Sequence, residues 1–575
     1  MRRGVVFLTA IILTVGVLSA CGAGPDAAAD ISLDAGVQAV ADTSAVAGVD
    51  EEKQDIQASS EAITSTPTPT PKPTSKPTPT AKPTAAAEST PTVTPAAEAT
   101  PDTKPTKAPT PTKEAAAEPT AAPAAEPTQK PQEETPPPAP AVASGSGCRL
   151  TSGSTISLSA SFSKAPASDD GLLHVYQLAP YQYGPEGAAD VGSVPSSQSP
   201  VAEFNRTDGV VDGLYCKYAF VAIQNGTPVI QGEPQYITNP EILAGNTRGR
   251  VGYPKKGIDD YFTNWDPARG GASRPIMQIC NYGEDGTLKH PYSSSPDPHP
   301  VDEGPFQYMF NANNAAGVNA LADAMKRVAS MDGTQDYIFG NEVNVRKWCY
   351  ISYMDWDTYV REYMQAFRVA YNAIMSTNAN ARVFICIDQC WDRNKPASDP
   401  EYYYYLDGKD FLAKFNSMVS ASGNINWGLA FHPHPVPLTY AKFWDMSALD
   451  PIYAQLVNTN AMVSFQNMTT ITNYMQSGAM RLPSGGVRPM IASETGIPSG
   501  QGEDVQGAAM YAAYQACVRN PYVEIMIFSK DESTGAGFSS KAQEVYSNMG
   551  GPADGECDAW AKSVIGISDW GQVLR

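Results

Sequence analysis

The sequence has few basic residues: its 575 residues include 40 lysines and arginines against 60 aspartates and glutamates, a formal net charge of -20 at pH 7. Nucleic-acid binding calls for basic patches, so this balance argues against a nucleic-acid partner. The nine cysteines include no CxxC pair, which makes a structural zinc site a poor fit. No glycine-rich motif that could cradle phosphate is present either. We therefore expect no bound metal, no cofactor and no nucleic acid.

No apolar run at the start of the chain reaches the roughly 20 residues of a membrane-spanning helix. Arg2 and Arg3 form a positive region, an apolar run covers residues 5–18, and Leu-Ser-Ala-Cys21 ends it. This ending resembles the bacterial lipoprotein signal, which is cleaved before a cysteine that then receives a lipid. The resemblance implies that residues 1–21 are a signal peptide and that lipidated Cys21 anchors the protein at the extracellular face of the bacterial cell membrane. The alternative is an ordinary signal peptide with an incidental cysteine.

Residues 22–147 show no pattern that could form a hydrophobic core. Alanine, aspartate and glutamate dominate first, and residues 66–140 then repeat Thr-Pro, Lys-Pro and Ala-Pro. Such a segment cannot bury enough apolar surface to offset the entropy cost of ordering it. Proline holds a chain extended at about 3.1 Å per residue, so about 75 such residues could reach roughly 230 Å. We predict a disordered linker, which is either a stalk through the cell wall or a tolerated spacer.

Between residues 148 and 245 several short strand patterns are separated by turn residues. Residues 156–163 alternate apolar and polar side chains at every step, the pattern of a half-buried strand. Residues 172–178 and 215–223 are further strand candidates, and Asn225-Gly226 predicts a hairpin turn. We predict a small β-sandwich accessory domain. It either binds carbohydrate or braces the next domain, and we favour bracing because no cluster of exposed aromatic residues stands out.

After about residue 246 strand patterns alternate with amphipathic helix patterns, as in a parallel α/β fold. The predicted strands cover residues 274–281, 336–344, 382–389, 425–435, 488–496 and 523–530. The predicted helices cover residues 315–330, 359–376, 410–419, 469–475, 505–518 and 541–549. We assign residues 246–575 to one catalytic domain built from these units.

Two of the predicted strands end in a glutamate. The apolar run before Gly340 is followed by Asn341, Glu342, Val343 and Asn344, and a second apolar run ends in Ser-Glu494-Thr-Gly. In a (β/α)8 barrel, catalytic side chains lie at the C-terminal ends of the strands. Two carboxyl groups at that end are what a glycosidase needs to break a bond between sugars. Either glutamate could instead belong to a structural ion pair.

These two strand ends resemble strands four and seven of clan A glycoside hydrolases, which are (β/α)8 TIM barrels. Residues 340–344, 431–435 and 493–496 together are more closely similar to a bacterial domain family of unknown function with Gly-Asn-Glu-Val-Asn and Ser-Glu-x-Gly strand exits. The similarity extends over roughly residues 172–549. It implies an α/β fold with a (β/α)8 barrel, which we expect to follow the small β-sandwich and the linker.

The resemblance also implies a function, the hydrolysis of an extracellular poly- or oligosaccharide by a retaining mechanism. Glu342 would protonate the leaving oxygen and then act as a base, and Glu494 would attack the anomeric carbon. Retention requires the two carboxyl groups about 5–5.5 Å apart. Asn341 would bind the sugar 2-hydroxyl group, whose contacts strengthen in the transition state.

Other polar or aromatic side chains at the predicted strand ends are candidates for substrate binding. Besides Asn341, they are Gln278, Asn281, Asn344, Asp388, Trp391, His432 and His434. His432 and His434 could bind a metal, but no carboxylate or cysteine has ligand spacing nearby. We expect His432 to orient a catalytic glutamate or to bind a sugar hydroxyl. His434 stands where the family tends to have tyrosine, which leaves its role open.

One region departs from the family pattern. Between Arg250 and Pro275 the sequence shows no two clean strand–helix units, although a full barrel needs strands one and two there. Either those strands are short and irregular, or the barrel is incomplete.

Eight cysteines follow Cys21, and an exported protein permits disulfides between them. Cys148 and Cys216 are one candidate pair, and two of Cys280, Cys349 and Cys390 could form another. Sequence alone does not give the connectivity.

Two other functions compete with hydrolysis. A solute-binding lipoprotein of a sugar transporter predicts two α/β lobes and no paired glutamates on one barrel. A non-catalytic glycan-binding barrel predicts carboxyl groups too far apart, or a blocked cleft. In each case we expect a carbohydrate ligand, a monomer and a lipid anchor in the membrane.

Overall fold

The computed structural model describes residues 143–197, 200–206, 213–245, 250, 252–258, 276–283, 306–331, 333–351 and 355–575. The predictions for the signal peptide, for lipidated Cys21 and for the linker up to residue 142 lie outside these residues. Within them, no helix combines the length and the apolar character needed to cross a membrane.

The described residues contain antiparallel strands first and then alternating parallel strands and helices. The strands are β1 (Ala143–Ser152), β2 (Thr155–Phe162), β3 (Leu172–Leu178), β4 (Ala189–Pro195), β5 (Val201–Asn205), β6 (Lys217–Gln224), β7 (Thr227–Tyr236), β8 (Lys256–Ile258), β9 (Ile276–Ile279), β10 (Tyr282–Gly283), β11 (Phe306–Gln307), β12 (Asp336–Phe339), β13 (Arg382–Ile387), β14 (Trp427–Phe431), β15 (Met490–Thr495) and β16 (Val523–Phe528). The α-helices are α1 (Ala315–Ala329), α2 (Trp356–Thr377), α3 (Glu401–Tyr404), α4 (Gly408–Ala421), α5 (Pro451–Asn458), α6 (Thr469–Met475), α7 (Glu503–Arg519), α8 (Ser540–Asn548) and α9 (Asp554–Ile565).

The strands β1 to β7 form two antiparallel sheets, with the orders β1-β2-β5 and β4-β3-β6-β7. The predicted hairpin between β6 and β7 is confirmed: Asn225 and Gly226 both have positive φ, 52° and 74°, as a type I′ turn requires. Alternate residues of β2 are buried, as its sequence pattern predicts. The strand β1 begins at Ala143, inside the segment that we assigned to the linker.

The antiparallel part of the chain contacts helices α2 and α4. The side chain of Asn372 on α2 donates to the backbone oxygen of Leu214 at 2.8 Å, and Gln235 on β7 donates to the backbone oxygen of Ala421 at 2.8 Å. One hydrophobic core extends from residues of β1 to the last helices of the chain. These contacts favour the bracing role for the sheets.

A parallel sheet carries the rest of the fold, and its strand order is β8-β16-β15-β14-β13-β12-β9. Apart from β8, neighbours in the sheet follow each other along the chain, as in a barrel built from successive strand–helix units. The strands β8 and β9 are the two edges among the described residues. The chain between them, residues 259–275, lies outside those residues, so our prediction for barrel strands one and two is only partly covered, by β8.

The parallel sheet curls around an apolar interior. Arg382 at the start of β13 contacts Glu524 at the start of β16, with 2.6 Å between guanidinium and carboxylate, although β14 and β15 lie between them. Side chains stand roughly perpendicular to a flat sheet, so a flat sheet could not bring these two together. The curled inner face holds a separate apolar cluster of Ile276, Ile338, Phe384, Cys386, Ala430, Ile491, Ile525 and Ile527.

The N-terminal end of the parallel strands is closed by a buried ionic network. The carboxylate of Asp336, which is fully buried, accepts hydrogen bonds from Arg382 at 2.6 Å, from Arg250 at 2.9 Å and from the hydroxyl of Tyr253. Arg250 and Tyr253 precede β8, so the network ties that segment to β12. Polar side chains at the opposite, C-terminal end remain available for chemistry.

The suggested disulfides are wrong. In the described part of the chain the cysteines are thiols, including Cys148, Cys216, Cys280, Cys349 and Cys390. Most of these thiols are buried in the apolar core, where cysteine packs as a small hydrophobic residue.

Candidate active site

Glu342 follows β12 in a backbone conformation that few non-glycine residues adopt. Its φ is 40°, after a φ of 91° at Gly340. The surrounding structure holds this turn, because the backbone N–H of Val343 donates to the oxygen of Cys386 at 2.8 Å. Residues in such sparsely populated conformations cluster at active sites. The turn directs the Glu342 carboxylate toward His432 at the exit of β14.

Asn344 locks the exit of β12 to the exit of β13. Its amide oxygen accepts from the backbone N–H of Asp388 at 3.0 Å, and its amide nitrogen donates to the Asp388 carboxylate at 2.7 Å and to the oxygen of Leu406 at 2.9 Å. Asn344 is fully buried. A role in substrate binding stays a prediction, and these three bonds favour a positioning role.

His432, at the exit of β14, lies between the two predicted catalytic glutamates. Its Nδ1 is 2.8 Å from Glu342 Oε1 and 3.8 Å from Glu494 Oε2, and its Nε2 is 3.1 Å from the Cys386 sulfur. Burial alone would lower the pKa of His432, but Cys386, Glu494 and Glu342 hold that pKa well above its ordinary value. The imidazole therefore links both carboxylates as a cation.

Glu494 is the next-to-last residue of β15 and is ionised at neutral pH. Burial favours the neutral acid, but the positive charge of His432, together with His434 and Lys530, holds the pKa of Glu494 below its ordinary value. Because His434 itself is neutral near pH 7, we attribute the lowering to His432 and Lys530. A buried carboxylate kept ionised by fixed cations is suited to act as a nucleophile.

His434 is a neutral imidazole in this site. Its Nδ1 accepts a hydrogen bond from the backbone N–H of Gly496 at 3.0 Å, so its ring proton lies on Nε2, 3.9 Å from Glu494 Oε1. Burial lowers the pKa of His434 to about 3, opposed by Glu494. The ring can therefore donate toward Glu494 but cannot serve as a base at neutral pH.

Two overlapping groups in the site have the residue types and spacing of metal ligands. In each group, Glu342 with His432 and His434, or His434 with Glu494 and Glu532, the ligand atoms lie within 4.8 Å of one another. A ligating histidine needs a nitrogen lone pair. His434 uses its lone pair on the Gly496 N–H, and His432 faces a carboxylate and a thiol. The hydrogen bonding favours proton chemistry over metal binding here.

Glu532 and Lys530 belong to the site but were not among our candidates. They follow β16 directly, and the Glu532 carboxylate lies 3.6 Å from Lys530 and 3.7 Å from His434 Nδ1. Burial raises the pKa of Glu532 to about 7. The run Ser-Lys-Asp-Glu after an apolar strand has the same form as the other strand exits, and that signal could have identified both residues.

The remaining candidates are divided between the site and the core. Asn341 accepts from the Gln278 amide at 2.8 Å beside Glu342, and its own amide nitrogen meets no partner among the described residues. Asn281, which is 4% exposed, donates to the oxygen of Met309 at 3.2 Å. Trp391, 3% exposed, packs against Tyr474 in the core. The structure thus brings Asn341 and Gln278 to the site and buries Asn281 and Trp391.

Asp388 lies at the exit of β13 as a second acid with a high pKa. Burial and the charge of Glu342 raise its pKa to about 7, against hydrogen bonds from Asn344 and the backbone of Cys390. Its carboxylate is held by these bonds and is nearly inaccessible. Asp388 therefore acts on Glu342 through its charge, and its burial leaves little surface for contact with a substrate.

Comparison with known proteins gives a family. The model of a family of unknown function, DUF5722, matches residues 284–573, which is half of the chain, and the chain belongs to this family. Our prediction of a domain family of unknown function is thereby confirmed. That its strand exits are those of clan A hydrolases stays a prediction. No curated protein sequence matches.

Solved structures of glycoside hydrolases are similar to the chain at a low level. A family 39 glycoside hydrolase from Bacteroides cellulosilyticus WH2 has 13% identity and a TM-score of 0.29, over 66% of this chain and 76% of that one. A GH128 endo-beta-1,3-glucanase from Pseudomonas viridiflava has 13% identity and a TM-score of 0.27, over 52% and 98%. A GH44 xyloglucanase from Paenibacillus polymyxa has 11% identity and a TM-score of 0.29, over 49% and 60%. Likeness at these TM-scores carries no conclusion about activity.

Proposed function

We propose that the protein is a retaining glycoside hydrolase, with Glu494 as the nucleophile and Glu342 as the acid/base. The contact of His432 with both glutamates carries this proposal. Glu342 Oε1 and Glu494 Oε2 lie 2.8 and 3.8 Å from one nitrogen, so they are at most about 6.6 Å apart, which favours the short carboxyl separation of retaining enzymes.

The mechanism assigns each proton and bond to a residue. The Glu494 carboxylate attacks the anomeric carbon and forms a glycosyl-enzyme ester, while the glycosidic bond to the leaving oxygen breaks. Glu342 receives a proton from His432 Nδ1, 2.8 Å away, gives it to that oxygen and is left as a carboxylate. In the second step Glu342 takes a proton from water, whose oxygen attacks the ester carbon and releases Glu494.

The substrate class and the location are part of the proposal. We expect an extracellular poly- or oligosaccharide, because the predicted signal peptide, Cys21 lipid and linker would hold a monomeric catalytic domain outside the bacterial membrane. The amide nitrogen of Asn341, which has no partner among the described residues, lies beside Glu342, and we expect it to bind a sugar hydroxyl.

The direct test is the release of reducing sugar from a panel of plant, fungal and bacterial glycans. The assay uses a protein of residues 143–575, which starts at the first residue of β1. We expect release by the parent and loss of at least about 10³-fold in Glu494→Gln, which keeps the shape of the side chain but removes the nucleophile. Glu503→Gln, at an exposed first-turn position of α7, is the matched control and should keep full activity.

Proton NMR of the first product then tests the stereochemistry. A newly formed sugar with the anomeric configuration of the substrate supports retention. Inversion would rule out Glu494 as a nucleophile, and hydrolysis that survives in Glu494→Gln would do the same.

The alternatives make different predictions. A solute-binding lipoprotein calls for two α/β lobes, whereas the described residues hold one parallel sheet that carries both glutamates. A glycan-binding barrel without catalysis would bind a glycan of the panel, with a measurable heat of binding, and release no sugar from it.

A further inference from the structure

Glu532 occupies a space that the sequence keeps open with a glycine. A Cβ atom at residue 496 would lie 1.8 Å from Glu532 Oε1 and 2.5 Å from its carboxyl carbon. Any side chain at 496 would therefore displace the Glu532 carboxyl group. Only 7% of the Glu532 side chain is exposed. The exits of β15 and β16 thus fit together around one buried carboxyl group.

The groups that face Glu532 come from several elements. Lys530 on its own segment is 3.6 Å away, and His434 Nδ1 after β14 is 3.7 Å away. Ligand atoms of Glu494, Glu532 and His434 all lie within 4.8 Å of one another, and Glu342 adds negative charge from the exit of β12. The neighbouring Asp531 turns away and accepts from the backbone N–H groups of residues 499 and 533.

This geometry favours a protonated Glu532. The His434 nitrogen that faces Glu532 accepts the Gly496 N–H and carries no proton, so it cannot donate a hydrogen bond to an ionised Glu532. Two carboxyl groups within 4.8 Å in a buried site also do not both ionise readily. Burial raises the pKa of Glu532 to about 7, with further raising by Glu494 and Glu342 and lowering by Lys530. The pKa of Glu494 lies below its ordinary value.

We propose that Glu532 is a positioning residue for the hydrolysis: it keeps its proton while Glu494 reacts, so that the two carboxyl groups hold one negative charge between them. The role in hydrolysis rests on the proposed function. When Glu532 loses its proton, a second negative charge arises next to Glu494 and competes with it for Lys530. Both groups are then carboxylates, and their repulsion shifts Glu494 away from the position from which it attacks the anomeric carbon.

The first test is the pH dependence of kcat/KM for a substrate found in the glycan panel. In the parent we expect activity to fall about tenfold per pH unit above pH 7. Glu532→Gln resembles the protonated acid, so it should keep activity near pH 6 within about threefold and hold it above pH 8. Two results would overturn the proposal: a folded Glu532→Gln variant that loses activity near pH 6, or one whose kcat/KM falls above pH 7 as in the parent. We call this fall at high pH the alkaline limb.

Gly496→Ala is a matched variant that moves the carboxyl group without removing it. Its methyl group would occupy the position of Glu532 Oε1 and expel the carboxyl group toward water. We expect the alkaline limb to shift upward, as in Glu532→Gln. If kcat/KM of Gly496→Ala falls above pH 7 as in the parent, the buried position of Glu532 does not matter, and the proposal is wrong.

A second test needs no substrate. Infrared difference spectra between about pH 6 and pH 9 should show the carbonyl band of a protonated carboxylic acid in the parent, since ordinary carboxyl groups are already ionised there. Asp388 also has a pKa near 7, so Asp388→Asn serves to identify its band. One band should disappear in Glu532→Gln. If that band disappears but no glycan is hydrolysed, the proposed function fails while the protonated Glu532 beside ionised Glu494 is confirmed. If no band disappears, Glu532 is not protonated near pH 6, and this inference fails whatever the activity.

Discussion

At the scale of single residues, the exit of β12 combines an unfavourable backbone conformation with the buried hydrogen bonds that hold it. Glu342 has a φ of 40°, which costs a non-glycine residue of order 1 kcal/mol or more. The buried amide of Asn344 holds the segment by three hydrogen bonds to the exits of neighbouring elements. The position of the Glu342 carboxylate therefore depends on a residue two positions further along.

We expect Asn344→Ala to lower the free energy of unfolding by about 2–4 kcal/mol, because three buried hydrogen bonds are lost and their partners remain. Denaturant unfolding followed by tryptophan fluorescence measures this. Under the proposed function, activity on a glycan should fall as well, since Glu342 loses its anchor.

Asn341→Ala on the same strand exit is the control for stability. It is partly exposed and loses one hydrogen bond, to Gln278, so we expect a loss of about 1 kcal/mol. Equal losses in the two variants would contradict the anchoring role of Asn344.

At the scale of elements, adjacent strands of the curled sheet depend on matched side-chain volumes. Gly428 on β14 lies directly opposite Phe384 on β13. The ring of Phe384 covers the glycine, and a Cβ atom at residue 428 would lie 2.5 Å from two ring carbons. Phe384 is fully buried in the interior cluster and has little room to move.

Gly428→Ala should therefore destabilise the protein by about 1–3 kcal/mol through overpacking of the interior. Gly478→Ala is the matched control, because no atom lies within 4 Å of its Cβ position, and it should cause no loss. Thermal unfolding of both variants measures the difference. A Gly428→Ala protein as stable as the parent would show that the interior is loosely packed.

At the scale of the whole molecule, the antiparallel sheets and the parallel sheet share one hydrophobic core. Core residues extend from Cys148 on β1 through helix α2 to Leu574 near the end of the chain. Asn372 on α2 donates to backbone oxygens of residues 214 and 237, at the edge of the antiparallel sheets. A shared core couples the unfolding of both parts.

We expect calorimetry of residues 143–575 to show one cooperative transition instead of two. Asn372→Ala should lower that transition by about 2–4 °C without splitting it. Asn205→Ala, at an exposed position of β5, should leave it unchanged. Two separate transitions in the parent would mean that the antiparallel sheets are an independent domain.

Much of the local structure followed from the sequence. The predicted helix 359–376 is α2 (Trp356–Thr377), and the predicted helix 469–475 coincides with α6. Periodicity indicates these elements because it depends only on which face of an element is buried. The sequence patterns did not predict α3, α5 or α9, two of which are short and one of which, α9 (Asp554–Ile565), has a weakly amphipathic sequence.

The sequence predicted part of the group of side chains that the structure brings together. Glu342, Glu494, His432 and His434 could be chosen because each ends an apolar strand, and parallel strands place their ends at one edge of the sheet. Asn281 and Trp391 fit the same pattern but are buried in the fold. A strand exit predicts the edge at which a side chain lies, whereas its contacts depend on the neighbouring strand.

By itself the sequence determined the alternation of strands and helices, the positions of the strand exits and the pair of glutamates that they carry. Only the tertiary structure decided that His432 contacts both glutamates, that Asn344 is an anchor and that Glu532 fills the space over Gly496. These contacts join residues from different strands, 90 positions apart for Glu342 and His432. Local patterns of burial contain no information about such distances, because the curl and register of the sheet set them.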